Sequence, residues 1–160
     1  MINNDAVIWI PKNASSLLRT YDPKRYLCTD YIVNNYIVFL RDPYLRWKSG
    51  VSEYFIRHEA DGEYILDNIA KIEFDEHTVP QSNFIPFKGK YRYFDLDNGG
   101  LIHFNKLYKV WEETVILHAS AESSAKMDFM DKIESAVSKH LAKKIKEYYA
   151  DDYSLITEKL

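Results

Sequence analysis

Two short segments of this chain concentrate groups that bind anions. Pro11-Lys12-Asn13-Ala14-Ser15-Ser16 carries an ammonium group and two adjacent hydroxyls, between an apolar run and an amphipathic stretch. At a helix N-terminus such a segment adds unpaired N–H groups, so a cation, two hydroxyls and a favourable dipole meet near one point. A serine there also serves as a plain helix N-cap, and the loop alone carries both readings. The second segment is Arg41-Asp42-Pro43-Tyr44-Leu45-Arg46-Trp47-Lys48-Ser49-Gly50. Ser49 follows Arg41 by about two helical turns; a helix bending back toward the strand end would let guanidinium and hydroxyl share one phosphate group. Arg-Asp-Pro by itself is a common turn. The chain has no G-x-x-x-x-G-K-[ST] sequence, which argues against an ATPase or GTPase.

The elements that must position these segments follow from the apolar pattern. Ala6-Val-Ile-Trp-Ile10 is a continuous apolar run ending at Pro11, the signature of a buried strand in a parallel sheet. Leu17, Leu18 and Tyr21 predict a short helix ending before Pro23. A second buried strand is expected at Tyr36 to Leu40, followed by a helix with Pro43 in its first turn and Tyr44, Trp47, Val51, Tyr54 and Phe55 at helical spacing. The arrangement thus occurs twice in 50 residues: a strand delivers a basic residue and a proline to its carboxyl end, where a helix begins. Open α/β sheets bind ligands at that edge. Further along, Tyr64 to Ile72 predicts a helix, residues 75 to 86 an irregular loop, Tyr91 to Leu96 a third strand and Leu101 to Val110 a helix. Thr114 to Leu117 suits a strand, and Met127 to Tyr149 one long amphipathic helical region. The expected architecture is a single α/β domain over residues 1–160, with a small, mainly parallel sheet flanked by helices.

Composition narrows the function classes. With 160 residues, 46% hydrophobic and 28% charged, the chain has the profile of one ordinary globular domain. It holds a single cysteine, Cys28, and no Cys/His cluster with zinc-like spacing, so no metal is expected and a reducing compartment is the default. The apolar run near the N-terminus falls short of the roughly 18 residues of a spanning helix and lacks the flanks of a signal peptide, giving a cytoplasmic expectation without a membrane partner. A net charge of −3 argues against a general nucleic-acid binder. That total hides an asymmetry: residues 1 to 50 hold seven Lys and Arg against four acids, and the remainder carries −6. The split suits a compact anionic ligand held by the N-terminal part. Trp47 is the aromatic best placed to stack on a base, and nothing in the sequence gives the oligomeric state.

Together these segments resemble the sulfotransferase family, in particular its carbohydrate sulfotransferase branch. Pro-Lys-x-Ala-Ser-Ser after a strand looks like the family's 5′-phosphosulfate loop, in which Ala often replaces Gly. Arg-Asp-Pro-Tyr-x-Arg-x-x-Ser-Gly looks like its 3′-phosphate motif. His77-Thr-Val-Pro-Gln81 is similar to its His-x-x-Pro-Gln element, and Tyr149-Ala-Asp-Asp-Tyr-Ser-Leu-Ile156 to its closing segment. The four occur in the family's order and span nearly the whole chain, although the stretch between the first helix and second strand is short for the family.

The resemblance implies a P-loop-like nucleotide-binding architecture and a reaction moving a sulfuryl group from 3′-phosphoadenosine 5′-phosphosulfate (PAPS) to a hydroxyl or amine of a small molecule or glycan, releasing 3′,5′-phosphoadenosine (PAP). Lys12, Asn13, Ala14, Ser15 and Ser16 would hold the 5′-phosphosulfate, with Lys12 also catalytic at the leaving oxygen; Arg41 and Ser49 would hold the 3′-phosphate. The base candidates are His77, Glu76, Asp75, His58, Glu59 and Asp30. His77 is favoured because imidazole suits proton transfer near neutral pH and its local motif matches. The alternative is a non-catalytic module that binds the phosphoadenosine nucleotide and has lost the acceptor pocket.

Overall fold

A computed structural model describes residues 5–14, 17, 35–85, 88–112 and 124–160. Strands β1 (Ala6–Ile8), β2 (Tyr36–Leu40) and β3 (Tyr91–Asp95) form a parallel sheet in the order β1-β2-β3. Val7 pairs with Ile37 and Ile8 with Val38; on the other side of β2, Tyr36 pairs with Tyr91 and Leu40 with Asp95. The chain has an α/β fold, with helices on both faces of this sheet.

Alternation along β2 builds two cores from one run of five apolar residues. Ile37 and Phe39 face one layer with Val7, Phe94 and the Leu101 and Phe104 side chains of a helix over Gly100–Tyr108; Val38 and Leu40 face Ile10, Leu155 and Ile156. A strand covered on both faces reads as continuously apolar, and β2 was legible for that reason.

The helices are α1 (Pro43–Arg57), α2 (Gly62–Asn68), α3 (Gly100–Tyr108), α4 (Ser124–Ala136), α5 (Lys139–Tyr148) and α6 (Ala150–Lys159). α1 starts where Asp42 accepts a hydrogen bond from Leu45 N–H at 2.9 Å with Pro43 in the first turn. Its Trp47, Val51 and Phe55, one turn apart, are completely buried against Ile65, Ile133, Leu141, Ile145 and Tyr149. Trp47 is therefore a core residue whose indole donates to the Ile72 carbonyl at 2.8 Å, and it is not placed to stack on a ligand.

Three boundaries differ from the sequence pattern. β1 ends at Ile8, two residues short of the apolar run, and the Ile10 carbonyl accepts from Asn13 N–H at 3.0 Å, closing a turn with Pro11 and Lys12 at its centre. The predicted helix over 127–149 is two helices: Ser138 accepts from Leu141 N–H and starts α5 afresh. A further helix, α6, follows at once. The predicted residue 64–72 helix is α2, capped by Asp61, plus a 3-10 turn over Ile69–Lys71. The expected helical residues Leu18 and Tyr21 and the strand at Thr114 to Leu117 lie outside the described residues. Among the described residues no helix is long and apolar enough to cross a membrane.

Candidate functional site

Parallel strands deliver their carboxyl ends to one edge. Pro11–Ala14 follows β1, Arg41 follows β2 directly, and Asp97 follows β3 by two residues, so all three stand together there. The first loop is held in an unusual conformation: φ is +67° at Lys12 and +58° at Ala14, values that glycine adopts without cost. What holds it is Asn13. Its side-chain amide is completely buried and donates to the Phe39 carbonyl at 2.6 Å and to Gln81 Oε1 at 2.8 Å.

Gln81 joins the two anion-binding segments. It accepts from Asn13 and from Arg41 N–H at 3.2 Å, and donates from Nε2 to the Arg41 carbonyl at 2.8 Å. Arg41 itself directs Nε to Asp97 Oδ1 at 3.2 Å, while Asp97 Oδ2 accepts from Asp42 N–H at 2.6 Å. Ser49 lies two turns into α1, buried, and its hydroxyl has no hydrogen-bond partner among the described residues. No hydrogen bond joins it to Arg41. Lys48 of the same segment is directed elsewhere, to Glu134 on α4 at 2.7 Å.

One face of α1 organises the rest. Arg46, Ser49, Glu53 and Arg57 recur every three or four residues, and with Gly50 they line the side of the helix facing the Pro11 loop and the segment from Phe74 to Gln81. Arg46, completely buried, donates to the Pro11 carbonyl at 2.9 Å and the Val79 carbonyl at 2.5 Å, and its remaining Nη2 has no partner among the described residues. Burial lowers its pKa, against the opposing fields of Tyr149 and Asp152. Glu53 forms an ion pair with Lys12 through Oε2, and its Oε1 stands 4.0 Å from His77 Nε2. His77 Nδ1 lies 3.2 Å from Asp75 Oδ2, an oxygen that also takes Arg57 Nη2 at 2.5 Å. Burial pushes the Asp75 carboxyl up, but the His77 backbone N–H, the His77 ring and Arg57 outweigh it and hold its pKa below the ordinary value.

The segment carrying His77 is fixed from both sides. Thr78 accepts from Phe74 N–H at 2.8 Å and Asp75 N–H at 3.1 Å and is itself buried. The buried Tyr149 hydroxyl donates to the Thr78 carbonyl, and Asp152, also completely buried, accepts from Gln81 N–H and Ser82 N–H at 2.8 Å each. The last two segments singled out in the sequence therefore clasp each other.

Of the expected site residues, Lys12 and His77 meet at Glu53, and Asn13 and Arg41 meet at Gln81; Ser15 and Ser16 lie outside the described residues. Asp75 belongs to the cluster as the partner of His77. Glu76 and Glu59 are exposed, and exposed His58 turns back on the Tyr54 carbonyl at 2.7 Å; none of them joins the cluster. Asp30 is outside the described residues. Glu53, Arg46 and Asp152 were not anticipated, although a polar stripe interrupting an apolar helix at positions 46, 49, 53 and 57 was the signal for the first two. Among the described residues no group of three or more His, Cys, Asp and Glu side chains is placed to hold a metal ion. No protein-family model matches the chain, and comparison with curated proteins and with solved structures gave no match.

Proposed function

We propose that this chain is a PAPS-dependent sulfotransferase with a P-loop-like site at the carboxyl edge of its sheet. The observation that carries the reading is the Gln81 bridge, which makes the Lys12 loop and the Arg41 strand end one rigid, cation-bearing surface. The residues fit an anion with two charged ends. Lys12 and Arg41 are each neutralised by a carboxylate, Glu53 and Asp97, that a phosphate or sulfate can replace. The buried Ser49 hydroxyl has hydrogen-bonding capacity that none of the described residues uses.

PAPS supplies an activated sulfuryl group on a phosphate leaving group. Lys12 would face the bridging oxygen, where negative charge develops as the sulfur–oxygen bond breaks; losing such a contact costs about 10²–10³ in rate. Asn13 and Ala14, with Ser15 and Ser16, would cradle the 5′ end, and Arg41 with Ser49 the 3′-phosphate. His77 Nδ1 lies 3.2 Å from Asp75 Oδ2, and with a proton on that nitrogen the ring would present Nε2 as the group that takes the acceptor's proton. Asp75 then acts as a positioning residue. PAP would be the product, and the acceptor a small molecule or a carbohydrate.

The test is calorimetric titration of the protein with PAP, with AMP and ATP as controls and Arg41→Ala alongside. Binding that requires the 3′-phosphate and is lost in the variant is expected. A folded protein that ignores PAP, or an Arg41→Ala protein that binds it unchanged, refutes the assignment.

A further inference from the structure

The pair formed by Glu53 and His77 exceeds what a hydroxyl acceptor needs. Sulfuryl transfer to an alcohol releases one proton, and one base suffices. Transfer to a primary amine, an ammonium ion near neutral pH, releases two: one before the nitrogen lone pair can attack, and one from the nitrogen once its bond to sulfur has formed. Glu53 Oε1 and His77 Nε2 stand 4.0 Å apart. That is too long for a hydrogen bond between them and short enough for one nitrogen to donate to both. The other oxygen of Glu53 already holds a primary ammonium, that of Lys12.

We infer that the acceptor is a primary amine, seated as its ammonium between Glu53 and His77, and that Glu53 is a catalytic residue beside His77. The inference rests on the sulfotransferase reading. Lys12 moves from Glu53 to the incoming anion, and the vacated carboxylate takes the substrate ammonium in its place, so the exchange conserves charge at Glu53. An alcohol in the same gap brings one hydrogen for two acceptors and turns oxygen lone pairs toward a carboxylate.

The proton balance follows from this seating. The ammonium gives one proton to Glu53, and the nitrogen lone pair then forms the N–S bond while the S–O bond to the 5′-phosphate breaks, its electron pair remaining on the phosphate oxygen facing Lys12. The sulfated nitrogen gives its second proton to His77 Nε2. Each turnover yields a sulfamate, PAP and two protons passed to water.

The experiment uses the whole protein, sulfate-labelled PAPS and acceptor pairs differing in one group, glucosamine with glucose and cyclohexylamine with cyclohexanol. Label is expected in the amine of a pair at least about tenfold faster than in its alcohol, with two protons released per label. Glu53→Gln should lower amine transfer about 10²-fold while PAP binds at least as tightly, since Lys12 is released to the anion, and Glu53→Asp should restore part of the rate. The inference is overturned by alcohols reacting as fast as amines, by amine transfer that survives Glu53→Gln, or by a PAP-binding protein that labels no amine. Loss of the underlying reading is visible separately, as absence of PAP binding.

Discussion

Gly50→Ala measures how tightly α1 holds the segment that carries His77. A Cβ on Gly50 would sit 2.6 Å from the His77 carbonyl oxygen, 3.0 Å from its carbon and 3.2 Å from Thr78 Cγ2, where ordinary contact begins at 3.4 Å. The nearest two atoms are backbone, and that backbone is tethered: Arg46 holds the Val79 carbonyl, Tyr149 the Thr78 carbonyl, and Asp152 the Gln81 and Ser82 N–H groups. Overpacking costs about 1–3 kcal/mol, and a close approach to tethered backbone belongs in the upper part of that range, about 2–3 kcal/mol; alanine regains about 0.8–1 kcal/mol of helix propensity. The expected net loss is about 1–2 kcal/mol, which lowers Tm by roughly 2–8 °C in a chain of this length. Urea unfolding of wild type, Gly50→Ala and Gly62→Ala provides the assay, read as a midpoint change at constant slope. Gly62 starts α2 with nothing within 4 Å of an added Cβ, so its variant should lose no stability. A Gly50→Ala protein as stable as wild type would refute the close approach of His77 to α1.

Other consequences concern the clasp and the charged cluster. Asp152→Ala leaves the Gln81 and Ser82 N–H groups without an acceptor, at about 1–3 kcal/mol each; a loss below about 1 kcal/mol on urea unfolding would contradict the clasp. The native pKa of Asp75 is lowered, so its contribution is present above the unfolded value of about 3.9 and is lost as pH falls through the native value. The stability difference between wild type and Asp75→Asn should therefore shrink below about pH 4, and a difference that stays constant on acid titration counts against the pairing. Burial raises the Tyr149 pKa, more than offsetting the opposing field of Arg46. Its contribution is complete below the ordinary value of about 10 and lost as pH rises beyond it. Alkaline unfolding curves should show that loss in wild type and a shallower one in Tyr149→Phe.

The sequence was most readable where burial imposed one pattern on consecutive residues. β2 is apolar at all five positions because both faces are covered, and Asp42-Pro43 marks the start of α1 because cap and first turn demand those residue types. Ser138 was harder to interpret. The apolar spacing of Met130, Ile133, Val137, Leu141 and Ile145 runs through it without a change of period, so the break between α4 and α5 shows only in a cap hydrogen bond. Lys12 and Arg41 were visible as cations at strand ends. Their carboxylate partners were not, since Glu53 lies 41 residues from Lys12 and Asp97 lies 56 from Arg41, and no local pattern encodes a pairing at that range. Gln81 was noticed only within a motif; its role as a bridge depends on two strand ends meeting, which is a property of the sheet.

The clasp between α6 and the Thr78–Ser82 segment also bears on biosynthesis. Gln81 and Asp152 are 71 residues apart, as are Thr78 and Tyr149. At about 5–20 residues per second, a ribosome needs about 4 to 14 s to extend the chain from one partner to the other. Through that interval Arg46 and Gly50 can meet a segment whose later anchors have not yet been made. The nascent site must wait for α6, and a chain arrested before Tyr149 holds His77 and Gln81 through Arg46, Asn13 and Arg41, without the anchors that Tyr149 and Asp152 add.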